Sequence, residues 1–222
     1  MQEQGFKLYD YESYSEEESI ERSKRFFDFM NKRRSVREFS SKSVPKEVIE
    51  NIIKTAGTAP SGAHKEPWTF CAVSNQELKS RIREMVEEEE FTNYHGRMGE
   101  EWLEDLKKFK TDHIKPFIEN APYLIIVFKR TYEQEEEGDR KKNYYVNESV
   151  GIAVGMMLAA VHNAGLVALT HTPSPMNFLE RALERPKNER AFLNIPVGYP
   201  ADGAEVPDIQ RKTLSEIAEF FE

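Results

Sequence analysis

Three arginines and a serine crowd into five positions near the start of the chain: Arg33, Arg34, Ser35 and Arg37. The planar guanidinium group can bind phosphate through two parallel hydrogen bonds, so this run could hold an anionic ligand or cofactor. A solvated corner between a helix and a strand explains the same residues equally well, because surface arginine clusters are common. The run is therefore a candidate phosphate site that needs further evidence.

A second candidate is the loop that contains Pro60, Ser61, Gly62 and Ala63. Glycine permits the close approach of a flat or anionic ligand, and successive backbone N–H groups beside it can form an anion-binding nest. These residues are also typical of an ordinary turn, and taken alone the turn is the better interpretation.

The segment Thr170-His171-Thr172-Pro173 follows an apolar run and lies at the end of a predicted strand. Sheet proteins often place ligand-contacting groups at such strand ends, and a threonine hydroxyl there could donate to a cofactor nitrogen. Threonine is common on any strand, however, so Thr172 is a weak candidate by itself.

Glu90, Tyr94 and Lys115 could together bind a zwitterion, because they offer an anion, a phenol and a cation. Glu90 and Tyr94 are four residues apart and share a face if their helix continues. Lys115 lies near the end of the charged segment 91–116 that follows Glu90 in the sequence. The alternative is that all three are solvated surface residues, which is the better interpretation without other information.

Several other kinds of chemistry are not supported by the residues. The five histidines contain no pair at the spacing of three or four that builds a metal-binding helix face, so no metal site is predicted. Cys71 lies within an apolar strand and is interpreted as a small buried residue rather than a nucleophile. The chain contains no nucleophile elbow, Walker loop or dinucleotide-binding glycine motif, which sets aside P-loop enzymes and Rossmann dehydrogenases.

The elements that must position these residues alternate between helices and strands. A helix is predicted to end near Met30, and an amphipathic helix follows Pro45 and stops at Gly57. A loop over 58–67 leads to a buried strand over 68–73, and another helix follows. The charged segment 91–116, predicted to be irregular, precedes a strand over 122–128 and indicates a lid.

The second half is dominated by one predicted helix over 143–161 that is apolar nearly all round from Val150 onward. Such a helix is expected to be buried, and small residues at every fourth position would let another backbone approach it closely. Strands are predicted over 166–170 and 191–198, followed by a tail with a short final helix. The pattern predicts an α+β or α/β sheet core with a large buried helix.

Composition limits the class of protein and its partners. The length of 222 residues suits a single domain spanning 1–222, and a net charge of −8 argues against nucleic acid as a partner. No apolar stretch approaches the roughly 20 residues of a membrane span, and the acidic start does not resemble a signal peptide. With one cysteine, no internal disulfide is possible. We therefore expect a cytoplasmic protein without a membrane partner.

Taken together, these motifs resemble the nitroreductase superfamily. The resemblance is carried by Arg33-Arg34-Ser35-Val36-Arg37, by the run from Ala56 to Trp68, and by Val197-Gly198-Tyr199-Pro200. Within the superfamily, the chain is similar to the iodotyrosine deiodinase branch in three motifs: Ala-Pro-Ser-Gly-Ala-His-x-Glu-Pro-Trp, Glu-Glu-x-x-Asn-Tyr and Pro-Asp-x-x-Arg-Lys. The matches run in order from about residue 30 to residue 215, which is more specific than any one motif.

The resemblance implies an α+β fold with a nitroreductase-like mixed sheet, an intertwined homodimer, and FMN bound at the subunit interface. The residues that match the family's FMN-binding positions are Arg33, Arg34, Ser35, Arg37 and Arg211 around the phosphate, and Pro60, Ser61, Gly62 and Thr172 beside the flavin ring. His171 departs from the small or hydroxyl residue expected next to Thr172.

The same resemblance implies a substrate site and a reaction. Ala63 matches the residue whose backbone N–H meets a substrate phenolate, and Thr172 matches a hydroxyl near flavin N5 that favours one-electron steps. Glu90, Tyr94 and Lys115 match a lid that binds the substrate's amino and carboxylate groups. The implied function is reductive dehalogenation of halotyrosines, with release of halide and tyrosine. The alternatives are a general nitroreductase or flavin reductase on the same scaffold, and a flavin-binding sensor or store without turnover.

Overall fold

The computed structural model describes Gly5, residues 7–134 and residues 138–222. The chain divides into two units, Met1–Arg33 and Arg34–Glu222. In the first unit, helix α1 (Glu16–Asn31) begins where the Ser15 side chain accepts a hydrogen bond from the Glu18 N–H at 3.2 Å. The three glutamates in its first turn stabilise the helix, because their negative charges interact favourably with the positive end of the helix dipole. The predicted helix end near Met30 is confirmed.

In the second unit, groups of helices and groups of strands follow one another along the chain. The elements in chain order are α2 (Lys46–Gly57), β1 (Trp68–Val73), α3 (Gln76–Thr92), α4 (Glu100–Lys107), α5 (Phe117–Asn120), β2 (Tyr123–Arg130), β3 (Tyr132–Gln134), β4 (Arg140–Lys142), α6 (Val146–Asn163), β5 (Val167–Ala168), α7 (Asn177–Ala182), β6 (Glu189–Gly198) and α8 (Leu214–Ile217).

The main sheet has four strands in the order β1-β2-β6-β5, and each neighbouring pair is antiparallel. A parallel bridge between Ser35 and Ala168 adds the segment after Arg34 to the β5 edge, so the pairing is mixed. Strands β3 and β4 form a separate two-stranded ribbon. The predicted α+β class is confirmed, whereas the named strands of the predicted mixed sheet pair antiparallel throughout and the parallel pairing is the isolated bridge between Ser35 and Ala168.

Strand β2 carries the core on both of its faces. Because successive strand residues point to opposite sides, Ile125 and Val127 pack with α2 and α6, whereas Ile126 and Phe128 pack with residues of α3, α5 and α7. All four of these side chains are fully buried. A strand buried on both faces is expected to be continuously apolar, which explains the run Leu-Ile-Ile-Val-Phe in the sequence.

The prediction of an irregular segment over 91–116 is wrong. Helix α3 continues to Thr92, a π-helical turn spans Asn93–Arg97, and α4 follows. The short helix α4 is amphipathic, with Leu103 and Leu106 more buried than the charged residues around them. The many charges of the segment hid this short apolar periodicity.

Helix α6 is the long apolar helix that the sequence predicts, although it begins at Val146 rather than at 143. One side of it is buried, including Val150, Ala153 and Met157. None of the described residues covers the opposite side: Gly151 and Gly155 are exposed, and Ile152 is 47% exposed.

Candidate active site

Five of the residues singled out in the sequence line one cavity of about 160 Å³. They are Arg37, Glu90, Tyr94, Lys115 and Thr172. The rest of the wall is largely apolar and consists of Met98, Trp102, Leu106, Thr111, Phe117, Leu169, Thr170 and His171. The apolar residues of α4 were not predicted as part of a site, because the segment was interpreted as irregular. Trp102 and Leu106 are four residues apart, and this helical spacing could have indicated a helix with one apolar face.

Glu90 and Lys115 are the charged pair in this cavity, and both are buried. Their atoms Oε2 and Nζ lie 4.0 Å apart, at the outer limit of an ion pair. The Lys115 Nζ also lies 5.2 Å from the centre of the Tyr94 ring. It donates to the Thr111 hydroxyl at 3.2 Å and to the Asp112 carbonyl. The structure therefore brings the three predicted zwitterion-binding residues together.

The acidic end of α3 is tolerated because most of its carboxylates have partners. Glu87 accepts from Arg83 and from the Lys115 backbone N–H, each at 2.7 Å. Glu89 is paired with Arg97. Glu88 is exposed. These contacts compensate for four glutamates at the negative end of a helix dipole, and they attach the end of α3 to the residues before α5.

Burial changes the proton affinity of the groups in the cavity. It lowers the pKa of the Lys115 ammonium, although Glu90 and Asp112 oppose that effect. It raises the pKa of the Tyr94 phenol, and Glu90 raises it further. The phenol therefore remains a neutral hydrogen-bonding group at physiological pH.

His171 is part of the same cluster, a contact that the sequence did not reveal. Its Nε2 lies 2.9 Å from Oε1 of Glu90, and its ring meets the edge of the Phe117 ring at a centroid distance of 5.4 Å. Burial lowers the pKa of the imidazole, while Glu90 acts in the opposite direction. No sequence motif could have linked two residues 81 positions apart.

Of the predicted phosphate-binding arginines, Arg34 and Arg37 both lie near Pro207. The Arg34 guanidinium donates to the Pro207 carbonyl, and Arg37 is half-buried with its guanidinium 5.3 Å from the centre of the Phe109 ring. Arg37 also lines a second cavity of about 300 Å³ beside Pro207. Arg33 ends the first unit, where its N–H donates to the Met30 carbonyl at 3.1 Å. Arg211 is exposed in the extended tail.

The Pro60–Ala63 loop lies beside the start of α6 and does not line the cavity that contains Glu90. The Gly62 N–H donates to the Ser149 hydroxyl at 3.3 Å, and the Ser61 hydroxyl accepts from the Glu66 N–H at 2.9 Å. A Cβ atom on residue 62 would lie 2.9 Å from the Tyr144 carbonyl oxygen, so only glycine fits there. Ala63 is exposed and left-handed, with φ of 51°.

The donor chemistry of these residues fits FMN. Guanidinium groups suit its phosphate, and the exposed backbone of a left-handed turn suits an anionic or planar group. Ala63 and His64 both have positive φ, at 51° and 52°, a conformation that non-glycine residues adopt at a cost and that is concentrated at functional sites. Among the described residues, no group of three or more His, Cys, Asp or Glu could hold a metal ion.

Comparison with known proteins agrees with the fold. The nitroreductase family matches residues 30–199. A solved structure of a nitroreductase with bound FMN from Bacteroides fragilis has the same fold, with a TM-score of 0.66 over 89% of this chain and 98% of that one, at 20% identity. The chain therefore belongs to the nitroreductase family.

Within that family, the chain is similar to iodotyrosine deiodinases over nearly its whole length. The deiodinase of Haliscomenobacter hydrossis is 60% identical, with 92% of each chain covered, and that of Homo sapiens is 48% identical, with 94% of this chain and 73% of the human protein covered. A crystal structure of oxidized iodotyrosine deiodinase bound to FMN and 3-iodo-L-tyrosine matches with a TM-score of 0.75 and 31% identity, over 88% of this chain and 100% of that one. In the described part of this chain, every helix is too short or too polar to cross a bilayer.

Proposed function

We propose that this protein is an FMN-dependent reductase that removes the halogen from halotyrosines and releases halide and tyrosine. The observation that carries the proposal is the pair of buried opposite charges, Glu90 and Lys115, with Tyr94 beside them in one cavity. The two buried ions lie 4.0 Å apart and are held by hydrogen bonds to Thr111, Asp112 and His171 instead of by a close contact with each other, so each keeps capacity to bind a ligand group of opposite charge. The similarity to a deiodinase that binds 3-iodo-L-tyrosine supports this ligand class.

An amino acid would complete both charges at once. Its ammonium group would be accepted by Glu90, its carboxylate would be bound by Lys115, and the neutral Tyr94 hydroxyl would add a hydrogen bond. The residues 91–116 would then act as the lid that excludes water, and the apolar wall from Trp102 and Leu106 would help to keep the site dry.

For the cofactor, we propose that Arg34, Ser35, Arg37 and Arg211, with Arg33 next to them in the sequence, hold the phosphate of FMN. Pro60, Ser61 and Gly62 would lie beside its ring, as the family resemblance implies. The cavity with Glu90 and the loop with Ala63 are separate within one chain. A second copy that brings the two together at a subunit interface would complete the site.

The reaction replaces a carbon–halogen bond with a carbon–hydrogen bond, so two electrons and one proton enter and a halide leaves; FMN, when bound, would supply the electrons. Ala63 would stabilise negative charge on the phenolate oxygen through its backbone N–H. The Thr172 hydroxyl would donate a hydrogen bond to flavin N5. Glu90, Tyr94 and Lys115 would hold the substrate over the flavin without taking part in bond breaking.

The first prediction tests the cofactor and the reaction together. The purified protein should bind FMN and not FAD, because the proposed arginine site takes a terminal phosphate and the sequence contains no visible adenine-binding motif. When the FMN-loaded protein is reduced with dithionite and mixed anaerobically with iodotyrosine, the flavin should reoxidise as iodide and tyrosine form. Absorbance at the flavin band and chromatography of the products measure both.

Three results would contradict this prediction in different ways. Protein that stays colourless with excess FMN would remove the cofactor assignment. Reduced protein that ignores iodotyrosine but turns over nitroaromatic compounds would favour a general nitroreductase, and reduced protein that reacts with neither would favour a flavin store.

Thr172→Ala should leave FMN bound but slow dehalogenation by a factor of about 10 to 100, because one donor at the reacting flavin is lost. Reduction of nitro compounds, which can proceed by two-electron steps, should be kept. The measurement is the ratio of the two activities in FMN-loaded protein. Thr55→Ala, on the exposed side of α2, is the control and should leave the ratio unchanged. An unchanged ratio in Thr172→Ala would exclude N5 donation by this hydroxyl.

We also expect a homodimer, since the side of α6 that carries Ile152, Gly151 and Gly155 is apolar and is left exposed by the part of the chain that the structure describes. Light scattering should give twice the 25.8 kDa of one chain. Ile152→Glu places a charge on that side and should weaken both association and FMN binding. Asn51→Asp adds the same charge on an exposed position of α2 and should change neither. A stable monomer with bound flavin would contradict the dimer.

A further inference from the structure

His171 is attached to strand β6 on the side where β5 pairs, although it belongs to no named strand. It forms an isolated antiparallel bridge with Asn194 of β6, in which the backbone N–H of each residue donates to the carbonyl of the other at 2.9 Å. Its side chain is only 12% exposed. The backbone of His171 is therefore held as firmly as a strand residue, and its imidazole has a defined place in the wall of the cavity.

The charged groups that surround His171 come from three directions. Glu90 contacts it from α3, and Lys115 before α5 and Arg37 in the segment after Arg34 contribute positive charge. The Phe117 ring covers one side without a charge. Burial and the two cations disfavour a proton on the imidazole and lower its pKa, whereas Glu90 favours the proton. The balance keeps His171 neutral at physiological pH.

A neutral imidazole beside a carboxylate must present its N–H to it. The contact to Glu90 is made by Nε2, so Nε2 carries the hydrogen and Nδ1 is an acceptor. Nδ1 and the amide of Asn194 are buried, without hydrogen-bond partners among the described residues. Residues directly opposite in an antiparallel pair have their side chains on the same face, but the Asn194 amide and Nδ1 make no hydrogen bond to each other. The tautomer is therefore assigned from the contact of Nε2 with Glu90 alone.

We propose that His171 is a positioning residue: its Nε2–H holds the Glu90 carboxylate in the orientation that accepts the ammonium group of an amino-acid ligand. The inference rests on the proposed function of Glu90. One carboxylate oxygen is bound to His171 at 2.9 Å, and the other is 4.0 Å from Lys115. Without the histidine, the carboxylate is free to turn toward Lys115 and form a closer ion pair, which an incoming ammonium group must then break.

If His171 has this role, it affects how strongly the protein prefers ligands with an α-amino group. His171 should matter for ligands that carry an α-amino group and should not matter for ligands that lack one. A suitable pair is 3-iodotyrosine and its desamino analogue, 3-(4-hydroxy-3-iodophenyl)propionate, which share the phenol and the carboxylate. The preference is the ratio of their dissociation constants for the oxidised, FMN-loaded protein, read by flavin fluorescence.

Two substitutions separate hydrogen bonding from packing. His171→Phe keeps a planar ring but removes the donor, and should lower the preference for iodotyrosine by about tenfold at pH 7.5, because a hydrogen bond to a charged group is lost. His171→Gln keeps an N–H donor at a similar reach and should retain most of the preference. FMN content and the thermal unfolding midpoint of both variants show whether the fold is intact.

The pH dependence provides a second measurement with a definite sign. Protonation of His171 adds a positive charge next to the ammonium site, so the preference of the parent protein should fall as the pH is lowered below the usual histidine range, about 6.5. The ratio of two ligands with the same phenol cancels the titration of that phenol. His171→Gln cannot be protonated in this range, and its preference should fall less than that of the parent.

The outcomes distinguish this inference from the proposed function. A parent protein that shows no preference for iodotyrosine over its desamino analogue would overturn the role of Glu90 itself. A strong preference in the parent that persists unchanged in His171→Phe, or a loss in His171→Gln as large as in His171→Phe, would overturn the role of His171 alone. A pH dependence that is identical in the parent and in His171→Gln would also count against it.

Discussion

Glu90→Gln and Lys115→Met should each weaken the binding of halotyrosine to the FMN-loaded protein by about 2–4 kcal/mol, because each leaves one ligand charge desolvated and unpaired. Both side chains are buried in the cavity, so water cannot replace the lost partner cheaply. A halophenol without amino and carboxylate groups should bind the variants as it binds the parent. Titration of flavin fluorescence with both ligands measures the difference.

Matched substitutions on the same elements separate this effect from a general change of charge. Glu88→Gln is two residues from Glu90 but on the exposed side of α3, and Lys107→Met removes an exposed lysine at the end of α4. Both should bind halotyrosine normally. Protease resistance of residues 91–116 should increase with halotyrosine in the parent and not in Glu90→Gln. Variants that bind halotyrosine as tightly as the parent would remove the zwitterion site from the proposed function.

Gly198→Ala should destabilise the protein by about 3 kcal/mol, near the upper end of the range for overpacking a core. Gly198 is the last residue of β6 and pairs with Val167 of β5. A Cβ atom at this position would lie 2.4 Å from Cδ and 2.8 Å from Cγ of Pro122. A pyrrolidine ring cannot rotate away, so the backbone at Gly198 or at Pro122 would have to move.

The control for this prediction is Gly57→Ala, at the end of α2, where an added Cβ would meet no atom within 4 Å. Its stability should stay the same or rise slightly, since alanine is the better helix former. Chemical denaturation of the two variants side by side measures the difference. Equal stabilities would show that the contact between residues 198 and 122 relaxes without cost.

The sequence by itself determined most of the fold. The apolar stripe of α2, the continuous apolar run of β2 and the apolar helix α6 were all recognisable, because periodicity and length are local properties of the chain. The family motifs in residues 30 to 215 then indicated the class of enzyme and its cofactor. The order and spacing of these motifs in the sequence can be compared with those of the family without any knowledge of distances in the folded protein.

Local patterns were less informative where charge and short length masked them. Helix α4 was not predicted, because five of its eight side chains are charged and the remaining apolar residues are too few to show a clear helical periodicity. Similarly, the requirement for glycine at residue 198 follows from a proline 76 positions earlier, which only the pairing of β2 with β6 brings close. The sequence showed the glycine but not the reason for it.

The arrangement of the site was decided by the tertiary structure. Glu90 and Lys115 looked like solvated surface residues in a charged segment, and only the packing of α3 against the residues before α5 buries them beside Tyr94. His171 reaches Glu90 because its bridge to Asn194 holds it at the sheet, next to the end of α3. The separation of the Ala63 loop from this cavity could not be inferred either. Such relations depend on contacts between residues far apart in the chain, and those contacts are set by how whole elements pack, which no local pattern records.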